Sequence, residues 1–245
     1  MANPKVYIHE FIDIRGHHRA DYMHHMTANW SPTAQRTRSQ QCFGVWAVLG
    51  STGAWPQVVN LWEEDGLAGL AASFAGEAVG PGAQDETLAT WWAKAAEFRR
   101  GGFDRLLRPA AWSPTIDALC AAGVRGECYA HELVKVRPGT TAEFLDLVRH
   151  EAVALHRAEG LELVGAFSTL MVDDDECLLL WAVPTWAEWA GYETALLGDG
   201  ALAAWVRDSR RLVTGRHRIL LVDSPLSPLR TGRQPSAADR TDWTG

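Results

Sequence analysis

The chain repeats itself, and this repeat constrains its fold more than any other feature of the sequence. The segment YIHEF at 7–11 recurs 122 positions later as YAHEL at 129–133. The segment VVNLW at 58–62 recurs 119 positions later as CLLLW at 177–181. Three later matches keep the same order at an offset of 114: Trp91 with Trp205, Leu106-Leu107 with Leu220-Leu221, and Ser113-Pro114 with Ser227-Pro228. Ordered matches with slowly shrinking offsets indicate two copies of one structural unit that differ by small deletions.

Each copy has the pattern of a βαββαβ unit. In the first copy, alternating residues over 5–15 predict a strand, and 16–33 has helical spacing that ends near Ser31-Pro32. Two apolar runs at 42–49 and 57–62, joined by a Gly-Ser-Thr-Gly turn, predict a hairpin. The other predicted elements are helices 65–75 and 86–100 and strand 105–108, then strand 128–136, helix 140–158, strands 162–171 and 176–183, helices 185–197 and 200–213, and strand 217–223.

This order predicts an α+β fold made of two tandem ferredoxin-like repeats, each an antiparallel sheet with helices on one face. Both faces of the first strand are apolar, so the sheet needs a cover on each side. Helices cover one face, and we expect the second copy's sheet to cover the other, which gives an α+β barrel. The predicted boundaries are a first repeat at 1–114, a linker at 115–127, a second repeat at 128–230 and a disordered tail at 231–245.

Composition excludes several classes of protein. The chain has 245 residues and a net charge of −7, so no nucleic-acid partner is expected, because phosphate binding needs a surplus of Lys and Arg. No run approaches about 18 apolar residues and no signal peptide is evident, so we expect no membrane partner and a cytoplasmic location. The four cysteines have no metal-binding spacing, and no P-loop, GxGxxG or GxSxG motif occurs.

The two copies act as controls for each other when candidate site residues are sought. His25 stands where the sister helix has leucine, and Tyr22 stands where it has phenylalanine. Asn60 lies in the third strand, where the sister strand has leucine. An imidazole facing an apolar pocket can act as a general base, and a buried amide can orient a carbonyl or an oxyanion. We therefore predict a catalytic site with His25, Asn60 and Tyr22 in the first repeat.

His9 is the fourth predicted catalytic residue, although it occurs in both copies and its face of the strand is left open. If His9 faces the helices, it would join His25 and Asn60 in one cavity suited to proton transfer. If it faces the other side, a structural role at the barrel seam is the alternative. The predicted substrate-binding residues are Trp46, Trp62, Met26 and Tyr7.

The histidine pairs at 17–18 and 24–25 do not have chelating spacing, because residues seven apart on a helix lie about 10 Å from each other. We therefore predict that no cofactor is needed. A metal ion, or haem held by His25 or His9, stays as the alternative, since a single axial histidine has no sequence signature.

The first strand of the second copy with its Pro-Gly-started helix (Tyr129 to Gly139), and the segment Val58 to Glu63 with the helix after it, resemble the NIPSNAP family. That family belongs to the dimeric α+β-barrel superfamily, and the resemblance covers about 5–114 and 127–228. It implies the same fold, shared with cofactor-free monooxygenases and cyclases, haem-dependent enzymes and small stress proteins. The chain departs from the family pattern at Glu10 and Glu132, where the family has a basic residue.

These observations together predict a small-molecule enzyme of specialised metabolism that uses acid/base catalysis on a mostly apolar substrate. Cyclisation, isomerisation, elimination and oxygenation are all compatible with the residues. A haem- or metal-dependent enzyme of the same fold is the first alternative, and a non-catalytic ligand-binding or stress-response protein is the second. A homodimer is left open, and the sequence does not identify the substrate.

Overall fold

A closed barrel of eight antiparallel strands is the centre of the computed structural model, which describes residues 2–80, 82 and 84–241. Around the barrel the strand order is β1-β3-β2-β8-β5-β7-β6-β4. The strands are β1 (Val6–Ile14), β2 (Gln41–Val48), β3 (Gln57–Glu64), β4 (Arg99–Pro109), β5 (Cys128–Val136), β6 (Glu162–Leu170), β7 (Glu176–Val183) and β8 (Val213–Asp223).

Helices surround the barrel in the same order in both repeats. They are α1 (Arg19–His24), a π-helical segment (His25–Trp30), α2 (Ser31–Arg38), α3 (Gly66–Glu77), α4 (Glu86–Phe98), α5 (Ile116–Ala122), α6 (Thr141–Leu147), a second π-helical segment (Val148–Ala152), α7 (Val153–Ala158), α8 (Trp186–Leu197), α9 (Ala201–Asp208) and α10 (Pro228–Thr231). No helix in the described ranges is both long and apolar enough to cross a membrane.

The two repeats join edge to edge at two seams. At one seam β2 pairs with β8, with Trp46 opposite Asp223, and at the other β4 pairs with β6, with Leu106 opposite Leu170. Because both seams close, the apolar inner face of each repeat's sheet faces the other repeat inside the barrel. The prediction of two ferredoxin-like repeats forming one α+β barrel is confirmed.

Apolar side chains fill three layers. One layer lies inside the barrel, and each repeat has its own layer between its sheet and its helices. The largest members are Tyr7, Phe43, Trp46, Tyr129 and Phe167 inside, Tyr22, Trp30, Trp62 and Trp91 under the first repeat's helices, and Phe144, Trp181, Tyr192 and Trp205 under the second repeat's. The fold therefore offers one inner and two outer places where a site can form.

The first helix differs from its prediction because it does not end near Ser31-Pro32. It continues through the π-helical segment into α2, and the N–H of Ser31 bonds back to the carbonyl of Met26. Pro32 has no N–H to bond to the preceding turn, and it lies at the junction where the π-helical segment passes into α2. The second repeat has its π-helical segment at the matching place, so this wider turn is part of the repeated unit.

The linker contains a helix, and the tail is ordered where its composition predicts disorder. The linker at 115–127 contains α5, whose first turn is capped by the Thr115 side chain. In the tail, the Gln234 amide bonds to both the N–H and the carbonyl of Cys42 at distances of 3.0 and 2.8 Å. A bulge at this point of β2, and a pairing with β8 that begins only at Trp46, leave those backbone groups available. The predicted disorder is therefore wrong for residues 231–241, and 242–245 lie outside the described residues.

Candidate functional site

Adjacent residues of β1 face opposite sides of the barrel wall. Tyr7 and His9 point into the barrel, whereas Glu10 faces the helices of the first repeat. Inside the barrel, the Nε2 atoms of His9 and His131 are 2.9 Å apart, so the two repeats meet at equivalent histidines. The cavity that would join His9 with His25 and Asn60 is therefore not formed, because the alternation of the strand places His9 on the other side of the sheet.

The sheet also divides the predicted substrate-binding residues. Trp46 lies inside the barrel over Gly44, where any side chain would collide with the indole. Trp62 and Met26 lie outside, under the first repeat's helices. The inner group is Tyr7, His9 and Trp46, and the outer group is Tyr22, His25, Met26, Asn60 and Trp62.

Glu10 is the centre of the outer group, although the sequence did not indicate it. Asn60 Nδ2 and Trp62 Nε1 both donate to Glu10 Oε2, each at 2.8 Å. Asn60 Nδ2 also donates to the Tyr22 hydroxyl at 2.9 Å. The strand register explains this arrangement, because Glu10 pairs directly with Asn60 on β3 and Trp62 is the next residue on the same face. Within the described part of the chain, Glu10 Oε1 accepts no hydrogen bond.

The surroundings of Glu10 favour its protonated form. Burial raises the pKa of its carboxyl group, and the charge of Asp104, directly opposite on β4, raises it further. The hydrogen bonds from Asn60 and Trp62 and the charge of Arg99 act in the other direction, but the pKa stays above its ordinary value. A carboxyl group with a raised pKa is the kind of group that catalytic sites use to take up and release protons.

A cavity of about 340 Å³ begins at Glu10 and runs under the helices of the first repeat. This volume lies in the range of small-molecule sites. Its polar lining includes Glu10, Asp104, Gln40 and Arg38, and its wall is otherwise mostly apolar, with Ile8, Met26, Trp30, Trp62, Phe74, Leu88, Trp91 and Trp92. Residues 170–172 of the second repeat complete its mouth. The shape and chemistry suit a flat, mostly apolar molecule with one polar edge.

In the second repeat the space that corresponds to this cavity is filled. The Tyr192 hydroxyl lies 3.1 Å from His156 Nε2, and the His156 ring stacks on Trp181 with centroids 4.0 Å apart. All three side chains are buried. In the first repeat the position of Tyr192 is taken by Ser73, which lines the cavity. One small residue in place of a tyrosine therefore helps to open the first repeat.

The carboxyl groups of the two repeats also have different partners. Glu132, the counterpart of Glu10, faces Arg218 on β8 and lies 3.8 Å from Arg216 Nε. Glu10 faces Asp104 at the corresponding position of β4. Glu132 is thus paired with an arginine, whereas Glu10 lies beside a second acid, whose charge favours the protonated form of Glu10. The first repeat therefore has the features of a reactive site, and the second has those of a structural ion pair.

His25 lies behind the wall of the cavity. Its ring stacks on Trp91 with centroids 5.0 Å apart and planes 10° apart, and its Nδ1 lies 3.0 Å from the amide nitrogen of Asn29. Trp91 in turn lines the cavity. The position supports a role in holding the aromatic wall, and the acid/base role of His25 stays a prediction.

Among the residues that the structure describes, no group of three or more His, Cys, Asp or Glu side chains has a geometry that could hold a metal ion. Of the N-terminal histidines, His18 contacts Asp21 on the surface at 2.9 Å. Haem held by His25 or His9 stays the alternative to the prediction that no cofactor is needed.

Glu10 was missed because it occurs in both repeats, and a shared residue suggests a structural role. The signal that could have found it lies on β4. At an offset of 114, Asp104 corresponds to Arg218, and this exchange of charge opposite a shared glutamate distinguishes the repeats.

Comparison with solved structures gives neighbours that share the fold. A putative monooxygenase from Lactobacillus acidophilus matches 96% of this chain and 97% of its own, with 9% identity and a TM-score of 0.60. An anthrone oxidase-like protein matches 91% of this chain and 93% of its own, with 13% identity and a TM-score of 0.61. A NIPSNAP family protein from Agrobacterium tumefaciens covers 42% of this chain and 98% of its own, with 23% identity and a TM-score of 0.38.

No family model matches the sequence, and the search of curated proteins gave no match. The structural neighbours thus include proteins named as NIPSNAP family members, the family that the sequence resembles, beside proteins named as a monooxygenase and as anthrone oxidase-like. At these identities the likeness shows the fold, and the chemistry has to be argued from the site.

Proposed function

We propose that the cavity of the first repeat is the active site of a small-molecule enzyme that uses cofactor-free acid/base catalysis on a flat, mostly apolar substrate. The observation that carries this proposal is the Glu10 carboxyl group. It is half-buried and lines an aromatic cavity, one of its oxygens is fixed by two donors, and the other accepts no hydrogen bond among the described residues. A role in a specialised metabolic pathway and in the cytoplasm belongs to the same proposal, and the four unpaired cysteines support a reducing compartment.

Glu10 is the proposed catalytic residue. As a carboxylate it takes a proton from a C–H or O–H bond of the substrate through Oε1, and as an acid it returns the proton at a later step. Its raised pKa makes the carboxylate a stronger base than an exposed glutamate. Asn60 and Trp62 are positioning residues, because their hydrogen bonds to Oε2 orient the carboxyl group and stabilise its negative charge. Tyr22 positions Asn60 in turn.

The aromatic wall supports substrates whose carbanion is delocalised over a ring system, such as aromatic ketones with an acidic C–H bond. Stacking on the tryptophans holds such a molecule with its acidic edge toward Glu10. Proton removal starts isomerisation, cyclisation or elimination, and it also makes the carbanion reactive toward O₂. In that oxygenation a CH₂ group and one O₂ give a carbonyl group and one H₂O. The names of two neighbours, a monooxygenase and an anthrone oxidase-like protein, favour oxygenation as the first reaction to test.

The test uses anthrone and dissolved O₂, with oxygen consumption and quinone absorbance as readouts. Glu10→Gln should reduce kcat by at least about 100-fold, which is the usual contribution of a general acid or base. Glu132→Gln is the matched control, because it removes the equivalent carboxylate from the closed repeat and should leave kcat within a few-fold. Equal activity of the two folded variants would contradict the proposal. If anthrone binds but neither anthrone nor any other enolisable aromatic ketone is converted, the result favours the alternative of a non-catalytic ligand-binding protein.

A further inference from the structure

A second and larger cavity lies at the seam where β2 of the first repeat meets β8 of the second. Its volume is about 600 Å³. Residues 47–50 and Trp55 line it from the first repeat, and residues 222–226 line it from the second. Arg19 and Met23 of α1 also line it, whereas Tyr22 on the same helix bonds to Asn60 in the Glu10 layer. The seam cavity is therefore separate from the proposed active site.

Three side chains of the seam cavity are not explained by the packing of the protein. Arg19 donates to the Val48 carbonyl at 3.1 Å and makes no other hydrogen bond or ion pair with the described residues. Ser224 is 1% exposed, and its Oγ has no hydrogen-bond partner among the described residues. Trp55 is 65% exposed, which leaves a large apolar ring in contact with water. An exposed indole costs free energy that a bound molecule lying against it would recover.

The opposite seam, between β4 and β6, is an internal control. The position of Arg19 is held there by Thr141, and the position of Ser224 is held by Ala110. The backbone geometry is the same, because the N–H of Ser224 bonds to Val45 and that of Ala110 bonds to the corresponding Ala166. The guanidinium and the hydroxyl are thus specific to one seam and are not required to close the barrel.

We propose that the seam cavity binds a small aromatic anion, such as an aryl carboxylate, sulfonate or phenolate. The ring lies against Trp55 and the apolar floor formed by Met23 and Val48, and the acidic group accepts hydrogen bonds from Arg19. The one acidic side chain of the lining, Asp223, is already engaged, because it accepts a hydrogen bond from the Tyr129 hydroxyl at 2.9 Å. Burial also raises the pKa of Asp223, which weakens its opposition to an anion.

Anilinonaphthalene sulfonate is a suitable probe, because it combines an aromatic system with an anionic group and fluoresces when shielded from water. The full-length protein should bind it at one saturable site. Arg19→Gln should weaken binding at least tenfold, Arg19→Lys should weaken it less, and Trp55→Ala should weaken it as well. The controls are Arg15→Gln, an exposed arginine outside the cavity, and Trp186→Ala, an exposed tryptophan on α8.

Two further measurements separate this site from the others. The uncharged N-phenylnaphthylamine should bind the wild type and Arg19→Gln alike, because it has no anionic group for Arg19 to bind. Ser73→Tyr, which fills the Glu10 cavity, should leave binding of the sulfonate unchanged. Equal effects of the Arg19→Gln and Arg15→Gln variants, or loss of sulfonate binding in Ser73→Tyr, would overturn the proposal. A negative result in these binding experiments would leave the Glu10 proposal unaffected, because the Glu10 variants are tested by measuring kcat.

Discussion

The histidine pair inside the barrel makes a quantitative prediction about stability in acid. His9 and His131 are each 1% exposed, and their Nε2 atoms are 2.9 Å apart. Burial lowers the pKa of His131 to about 3. Burial also lowers the pKa of His9 well below its ordinary value of 6.5, and the neighbouring His131 and Arg105 lower it further. Both rings are therefore neutral in the folded barrel at neutral and mildly acidic pH.

Proton linkage gives the direction in which the free energy of unfolding changes with pH. When the pH falls below 6.5, each histidine takes up a proton in the unfolded chain, but it stays neutral in the folded one. The stability due to each neutral ring is complete above pH 6.5 and is lost as the pH falls toward the folded-state pKa. One pKa unit corresponds to about 1.4 kcal/mol. At about pH 4.5, two units below the ordinary value, His131 alone should lower the free energy of unfolding by about 3 kcal/mol, and His9 acts in the same direction.

The assay is urea unfolding between about pH 7 and pH 4.5, followed by tryptophan fluorescence, with the slope of the unfolding free energy against pH as the readout. The double variant His9→Gln/His131→Gln should have a slope that is smaller by up to about 2.7 kcal/mol per pH unit, since two titrations are removed. The change in slope is independent of any uniform loss of stability in the variant. His150→Gln removes an exposed histidine and should leave the slope unchanged. Parallel slopes for the wild type and the double variant would refute the reasoning.

Three further predictions concern the Glu10 cavity. Asp104→Asn removes a negative charge that raises the pKa of Glu10, so the acidic limb of the pH–rate profile should move to lower pH. If the limb does not move, Glu10 is not the group whose titration controls the rate. Ser73→Tyr should abolish turnover while the unfolding midpoint stays near that of the wild type, whereas Tyr192→Ser should lower stability by about 3–5 kcal/mol without loss of activity. The absorption spectrum of the purified protein between about 300 and 700 nm should lack a Soret band, and a band there would favour haem held by His25 or His9.

The sequence by itself determined the architecture of this protein. Two ordered copies of a βαββαβ pattern, with strands apolar on both faces, require two covered sheets, and the barrel satisfies that requirement. Local signals located six strands within a few residues, because period-2 alternation depends on neighbouring residues only. They predicted β4 and β8 too short, at 105–108 and 217–223, whereas these strands span Arg99–Pro109 and Val213–Asp223. Local signals also failed at Ser31-Pro32 and in the tail, where a π-helical turn and the contact of Gln234 with Cys42 decide the outcome.

The candidate site was only partly visible for a different reason. The comparison of the two copies identified Asn60 and Tyr22, and Trp62 was predicted separately as a substrate-binding residue. The structure places all three around one carboxyl group. The comparison could not show that His9 faces inward and Glu10 outward. Alternation assigns the two residues to opposite faces of the strand, but it does not say which face points into the barrel. Nor could the comparison show that Ser73 opens a cavity that Tyr192 closes in the other repeat. That contrast depends on which side chains from distant parts of the chain share one volume, and only tertiary packing decides this.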